Sequence, residues 1–521
     1  RINVARTDNY VEVKDRIAAL YVSKPSEFKT LFLLGKVPVP YSGFLAPDGH
    51  IPDHFGAWPA DVYYGEFDLD WMDEVSVTDY TISGVPIDSN SVRKANLNMA
   101  GDGKFDIDKL DEDVELMIGR VDLSNMTAFG KTEKELLKQY LDKDHNYRVG
   151  LLAAPMRGLV DNNFGYMSGE AFASTGWRNM APLVGKDSLK EIDWFNTLSV
   201  DPYLWAYGTG GGNNEGAGGV GSTSDFATRG SKAIFTMLFG SYFGDWNTSN
   251  NFLRAPLASE YGLSCAWSGR PYWHFFPMGL GQSLGYCARL TQNNTGSYLV
   301  SGFPTPGSAA PNSVHIALMG DPTLRLYPVM PPSNMTTTTN TSANSATLGW
   351  DHSTDPNFDG YQIYRSSSKE GAYKLLATVG KQTKTYTDIY PLDSINYYFV
   401  HTYRLETSPS GSYYNLSPGV WNQSNPLKND VIVEEFYHSD KLTALQTSLS
   451  SQITLTLENT SDIQMSVVDA TGKTLSVVTD RVLSQGEYRF ELPYTNLSSG
   501  VYFVRVIGTQ KPLSAKILVV K

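Results

Sequence analysis

The stretches DPYLWAYGTGGG (201–212) and KAIFTMLFGSYFGDW (232–246) each run a block of apolar residues straight into a glycine-bearing turn. Near-continuous apolar runs of this length suit strands buried on both faces, so both are expected to be inner strands of a parallel sheet. In open α/β sheets, ligands bind beyond the carboxyl ends of such strands. The loops after Tyr207 and Phe239 are therefore where chemistry is expected.

The same style extends outward from this pair. TLFLLGKVPVPYSG (30–43) and DVELMIGRVD (113–122) read as further strands, and HIALMGDPTLRLYPV (315–329) as a closing one. VEVKDRIAAL (11–20) and PMGLGQSLGYCARLTQ (277–292) read as helices. KTEKELLKQYLDKDHNYR (131–148) is a charged helix with Leu136, Leu137, Tyr140 and Leu141 on one face. Strand and helix in alternation predict an α/β domain over 1–330.

At Pro331 the character changes. PPSNMTTTTNTSANSATLGW (331–350) is a Pro-Ser-Thr linker entering a strand, and GYQIYRS, YKLLATV, TYTDI and NYYFVHTY follow at short intervals. Short strands with regular turns signal a sandwich. This segment, 331–427, resembles a fibronectin type III module, with Trp350 as its early buried Trp and Tyr397 and Tyr398 on a late strand. Residues 428–521 read as a second all-β, immunoglobulin-like sandwich, with a hairpin signal at ATGKTL. Its run of DATGK (469–473), LSQGEYRF (483–490), LSSGVYFVRV (497–506) and KILVVK (516–521) resembles the C-terminal sorting domain of type IX secretion substrates of Bacteroidota-like bacteria. That resemblance implies passage through the type IX machinery and presentation at the cell surface or outside the cell.

Composition agrees with export. The 521 residues carry 42 basic and 54 acidic side chains, a net charge of −12, which argues against a nucleic-acid partner. Only 18% of residues are charged, and 31 are Tyr. No apolar run is long enough for a membrane-spanning helix. The opening RINVARTDNY lacks a charged segment followed by an apolar stretch, so the chain is expected to begin inside a longer precursor. Two cysteines, Cys265 and Cys287, exclude a disulfide scaffold and a cysteine-rich zinc site; spacing alone leaves open whether they pair.

LFLLGKVPVP (31–40), IGRVDLSN (118–125) and MGDPTLRLY (319–327) occur in an order that resembles the gingipain-like cysteine peptidases, whose fold is caspase-like. In that family one strand ends in Gly-His-Gly and the next core strand ends in the nucleophilic Cys. Here the corresponding positions read Gly208-Thr209-Gly210 and Ser241-Tyr242-Phe243-Gly244-Asp245-Trp246. Thr209 stands for the histidine and Ser241 for the cysteine. A threonine is no base near neutral pH, and a serine without a base is a weak nucleophile. The resemblance thus implies a peptidase scaffold without peptidase chemistry. The expected role is structural, assembly or adhesive, with other surface proteins or a second copy as partner.

Two alternatives compete. An active cysteine peptidase would use Cys265 and His274 in CAWSGRPYWHFF, although a free cysteine is more often plain core. A carbohydrate-binding protein would use Trp267, Tyr272, Trp273, Phe275 and Phe276, which equally suit a core or an interface. The acidic stretch NLNMAGDGKFDIDKLDED (96–113) offers Asn96, Asn98, Asp102, Asp106 and Asp108 as oxygen ligands for a structural calcium ion, in an imperfect EF-hand-like register. The Gly-rich run 208–225 lacks the lysine of a phosphate loop and reads as a mobile or closely packed loop over the site. Arg254 and Arg270 nearby are carboxylate-binding or structural. Asp187-Ser188-Leu189 and Asp393-Ser394-Ile395 resemble bacterial O-glycosylation acceptors; the N-x-[ST] triplets at Asn125, Asn247, Asn293 and Asn415 read as chance in an Asn-, Ser- and Thr-rich chain.

Overall fold

The computed structural model describes residues 2–5, 7–24, 28–167, 170–267, 273–293, 313–392, 394–426, 440–446, 450–457, 459–494, 497–509 and 512–519. The chain divides into two compact units, Arg1–Lys428 and Asn429–Lys521.

The first unit is built on an eight-stranded sheet. Its strands are β1 (Thr30–Leu34), β2 (Met117–Val121), β3 (Gly158–Asn162), β4 (Leu189–Glu191), β5 (Tyr203–Thr209), β6 (Ala233–Phe239), β7 (Ser264–Trp267) and β8 (Leu318–Gly320). They lie in the order β1-β2-β8-β7-β6-β5-β3-β4. β5 and β6 pair in parallel, with Thr209 opposite Phe239, and β6 pairs in parallel with β7, with Thr236 opposite Cys265. β8 runs antiparallel to β7, and Met319 meets Arg120 of β2. Every residue of β5 and β6 is buried, as the uninterrupted apolar runs require. Trp205 stacks on Phe235 across the two strands at 5.2 Å.

Four helices bear on the site's framework: α1 (Tyr10–Ser23), α2 (Glu133–Arg148), α3 (Ser174–Val184) and α4 (Leu284–Gln292). α1 starts at a capping box between Asn9 and Glu12, and α2 at one between Thr132 and Glu135. Leu136 and Tyr140 of α2 are buried as expected, and the Tyr140 hydroxyl donates to Leu263 O beside β7. Leu141 is 41% exposed, because the helical turn carries it past the edge of the buried stripe. β7, which carries Cys265, is a strand too short to announce itself in the sequence.

The same unit contains the first sandwich. One sheet holds Ser333–Asn340, Ser345–Asp351 and Thr385–Asp388; the other holds Lys374–Gly380, Gly360–Ser366, Tyr397–Ser408, Gly411–Leu416 and Val420–Gln423. Trp350, Tyr361, Ile363, Tyr398 and Val400 fill its core. Tyr398 donates to Asp388 Oδ2 at 3.0 Å, whereas Tyr397 is half-buried. The sandwich is bonded to the α/β part: Ser408 Oγ donates to Gly279 O (2.6 Å), Ser410 Oγ to Pro182 O (2.8 Å) and Asn415 Nδ2 to Tyr327 O (2.7 Å).

The second unit is also all-β. A three-stranded sheet (Lys441–Gln446, Ser450–Leu457, Gly486–Pro493) and a four-stranded sheet (Thr474–Leu483, Ser461–Asp469, Gly500–Ile507, Leu513–Val519) enclose Ile453, Leu455, Met465, Val504, Val506 and Ile517. Among the described residues, no helix is long and apolar enough to cross a membrane.

Candidate functional site

β6 ends at Phe239, and Gly240 and Ser241 follow at once. Tyr242 then turns the chain with a φ of 70°, a left-handed conformation uncommon for a bulky residue. The glycine-rich run after β5 lies against this turn. A Cβ on Gly212 would sit 2.5 Å from both Ser241 N and Ser241 O, so only glycine lets the two segments approach.

Ser241 has an imidazole partner. His50 Nε2 lies 2.7 Å from Ser241 Oγ, across 191 positions of sequence. His50 belongs to APDGHIPDHF (46–55), which contributes Asp48, His50, Asp53 and His54. The Asp48 carboxylate is buried. It accepts from His54 Nδ1 at 2.5 Å, from Tyr242 N at 3.1 Å and from His50 N at 3.4 Å. A carboxylate only accepts, so His54 carries its proton on Nδ1 in this contact. Burial raises the Asp48 carboxyl, but the hydrogen bond and charge of His54, then the Tyr242 N–H and the charge of His50, outweigh it and hold it below its ordinary value. The His54 ring meets Tyr242 edge-on at 4.1 Å and Trp58 at 5.3 Å. Behind them lies His315, fully buried and edge-on to Trp267 at 5.7 Å, with neither ring nitrogen hydrogen-bonded. Burial pushes its imidazole down to about 3, against the charge of Asp48, so it stays neutral.

The rest of the turn is clamped by ions and amides. Asp245 pairs with Arg93 and accepts from Asn96 Nδ2 at 3.2 Å. Arg93 also lies over the Tyr242 ring at 5.5 Å. Arg254 is fully buried and donates to Asp122 O, Ser124 O and Thr248 O, tying the segment after β6 to the one after β2. It is structural here.

The other residues singled out in the sequence sit elsewhere. Thr209 is buried at the end of β5, its carbonyl accepting from Asn163 N. Cys265 is inside β7, and burial pushes its thiol up to about 12, despite a hydrogen bond with Thr236. His274 is pushed down to about 4 by burial and then by Arg178, and its backbone N–H donates to Thr291 Oγ1 of α4. Cys265 and Cys287 are both free and buried. Trp267, Trp273 and Phe275 are core: Trp267 stacks on Trp58, and Trp273 on Phe275. Phe276 opens the short turn Phe276–Leu280, and Tyr272, Arg270 and Asp393 lie outside the described residues.

The acidic stretch spends most of its side-chain atoms on backbone groups. Asn98 Nδ2 donates to Phe105 O and Gly43 O, and Asn96 Nδ2 also donates to Ala57 O. Asp102 accepts from Met99 N and Lys104 N, Asp106 from Glu74 N and Val75 N, and Asp108 from Phe44 N. Asn98 Oδ1 and Asp106 Oδ1 are buried without a hydrogen bond. Two oxygens fall short of the six to eight that calcium takes, so further ligands would have to come from backbone or water.

The sequence marks Ser241 only as a substituted position and does not point to His50 as its neighbour. The available signal was local: two of the chain's eight histidines lie four positions apart, interleaved with two aspartates and a Pro/Gly-rich turn.

Residues 449–521 match the family described as the secretion system C-terminal sorting domain. This stretch marks the chain as a type IX secreted protein of the cell surface or exterior. No curated protein matches the chain. Among solved structures, a Fn3-like protein from Clostridium thermocellum is 24% identical, covering 17% of this chain and 90% of its own, at a TM-score of 0.14. A two-domain fibronectin type III segment of chicken tenascin is 17% identical, covering 36% and 99%, at 0.15.

Proposed function

We propose that the exported chain is a hydrolase whose α/β domain is a caspase-like scaffold, with Ser241 as nucleophile and His50 as its base. The observation that supports this is the 2.7 Å contact between His50 Nε2 and Ser241 Oγ, just beyond the carboxyl end of β6. As Ser241 Oγ bonds to an acyl carbon, its proton passes to His50 Nε2. The imidazolium then gives that proton to the leaving group as the acyl–heteroatom bond breaks. A water, deprotonated by the same imidazole, releases the acyl group and restores the serine. The reading keeps the strand-end nucleophile position of the resembled peptidases, exchanges its Cys for Ser, and draws the base from another loop.

A fluorophosphonate probe tests it. Wild-type protein should label, Ser241→Ala should not, and His50→Gln should label at least about 100-fold more slowly. Cys265→Ala and His274→Gln should label like wild type. Absence of labelling, or labelling that survives Ser241→Ala, overturns the proposal and leaves the structural or adhesive surface role as the reading to pursue.

A further inference from the structure

We propose that Asp48 is the positioning residue of the Ser241–His50 pair: its buried carboxylate joins the base's loop to the nucleophile's turn and supplies the negative charge next to the imidazole. The inference rests on the reading of Ser241 and His50 given above.

Three hydrogen bonds carry it. One Asp48 oxygen accepts from Tyr242 N, the residue after the nucleophile, and from His54 Nδ1; the other accepts from His50 N, the backbone of the base itself. Asp48 therefore acts on His50 through its backbone and through charge, rather than by a bond to its ring. The same contacts hold Tyr242 in its left-handed conformation, which is strained for a residue with a Cβ. The groups facing this carboxylate and the His50 ring are His54, Asp53 and Tyr242, with Arg93 over the Tyr242 ring and His315 behind. His315 stays neutral, and Asp53, half-exposed, is screened by water. Asp48 is the buried anion of the group. Its charge favours the imidazolium that forms on His50 when Ser241 gives up its proton.

The test is the substitution Asp48→Asn, read in two ways on the full chain. First, the His50 imidazole is titrated by NMR in wild type and variant, which needs no turnover. The titration curve of the variant should differ from that of wild type. Second, the fluorophosphonate acylation rate is followed against pH. Its plateau should fall about 100-fold through lost alignment. His54→Gln keeps a donor that can reach Asp48 and guards against misfolding. It should retain most of the His50 titration. If His50 titrates identically with and without the Asp48 charge, the inference is overturned, whatever the labelling shows. If the titration shifts but wild-type protein never labels, the hydrolase reading fails while the coupling of Asp48 to His50 stands.

Discussion

Glu115 is a single residue with a readable effect on stability. Burial, then the charges of Asp68 and Glu66, push its carboxyl up to about 7 from an ordinary value of 4.5. A carboxyl raised in the folded state binds its proton more tightly there than in the unfolded chain. Below pH 4.5 it is neutral in both states and has no effect. Between 4.5 and about 7 the unfolded chain ionises first, so stability falls as pH rises, and above 7 the full penalty is present. Glu115→Gln should remove that window. Melting at pH 5 and pH 8 should differ less in the variant than in wild type; an equal difference would show that another group is responsible. Arg120 shows the opposite case. It is fully buried, forms a bidentate pair with Asp61 at 2.7 Å and donates to Val37 O, so its charge is matched on every side.

At the scale of elements, the glycine-rich segment after β5 gains its meaning from β6. Its glycines bind no phosphate signature; they permit contact between two backbones. Gly212→Ala places a Cβ 2.5 Å from the amide and carbonyl of Ser241. The expected outcome is a folded protein, with unchanged far-ultraviolet circular dichroism, whose Ser241 labels far more slowly. Labelling at the wild-type rate would mean that the nucleophile turn can shift without loss. The helices were easier to read than the strands. α2 carries a capping box, a charged face and a buried stripe in one stretch. β7 and β8 are three to four residues long and buried, and β4 is three residues that bury only Leu189; nothing local separates such short runs from a loop.

For the molecule as a whole, the sequence suggests an α/β domain followed, past a Pro-Ser-Thr linker, by two sandwiches. The structure shows the 331–427 sandwich hydrogen-bonded to the α/β part within one compact unit. A Cβ on Gly281 would be 2.3 Å from the Tyr413 ring, a further sign of close packing. A chain ended at residue 330 should therefore melt below one ended at 428. Three lost hydrogen bonds at about 1 kcal/mol each suggest a loss of ~3 kcal/mol, before apolar area is counted. Equal melting of the two chains would show that the contact adds no stability. The segment after 428 forms its own core and carries the export signal, so it has a role separable from that of the site.

By itself the sequence determined what depends on local pattern. The apolar runs of β5 and β6, the capped α2, the change of character at Pro331 and the sorting motifs near the end are all contiguous, and burial or secretion reads them as contiguous. It also placed Ser241 at a strand end, as a position without peptidase chemistry, because the strand before it is a contiguous apolar run. The tertiary structure alone decided which side chain that serine meets. His50 lies 191 positions away on a loop with no periodicity, and only the packing of that loop over the end of β6 brings imidazole to hydroxyl. It also moved Cys265 out of contention, since its place inside a buried strand holds the thiol protonated.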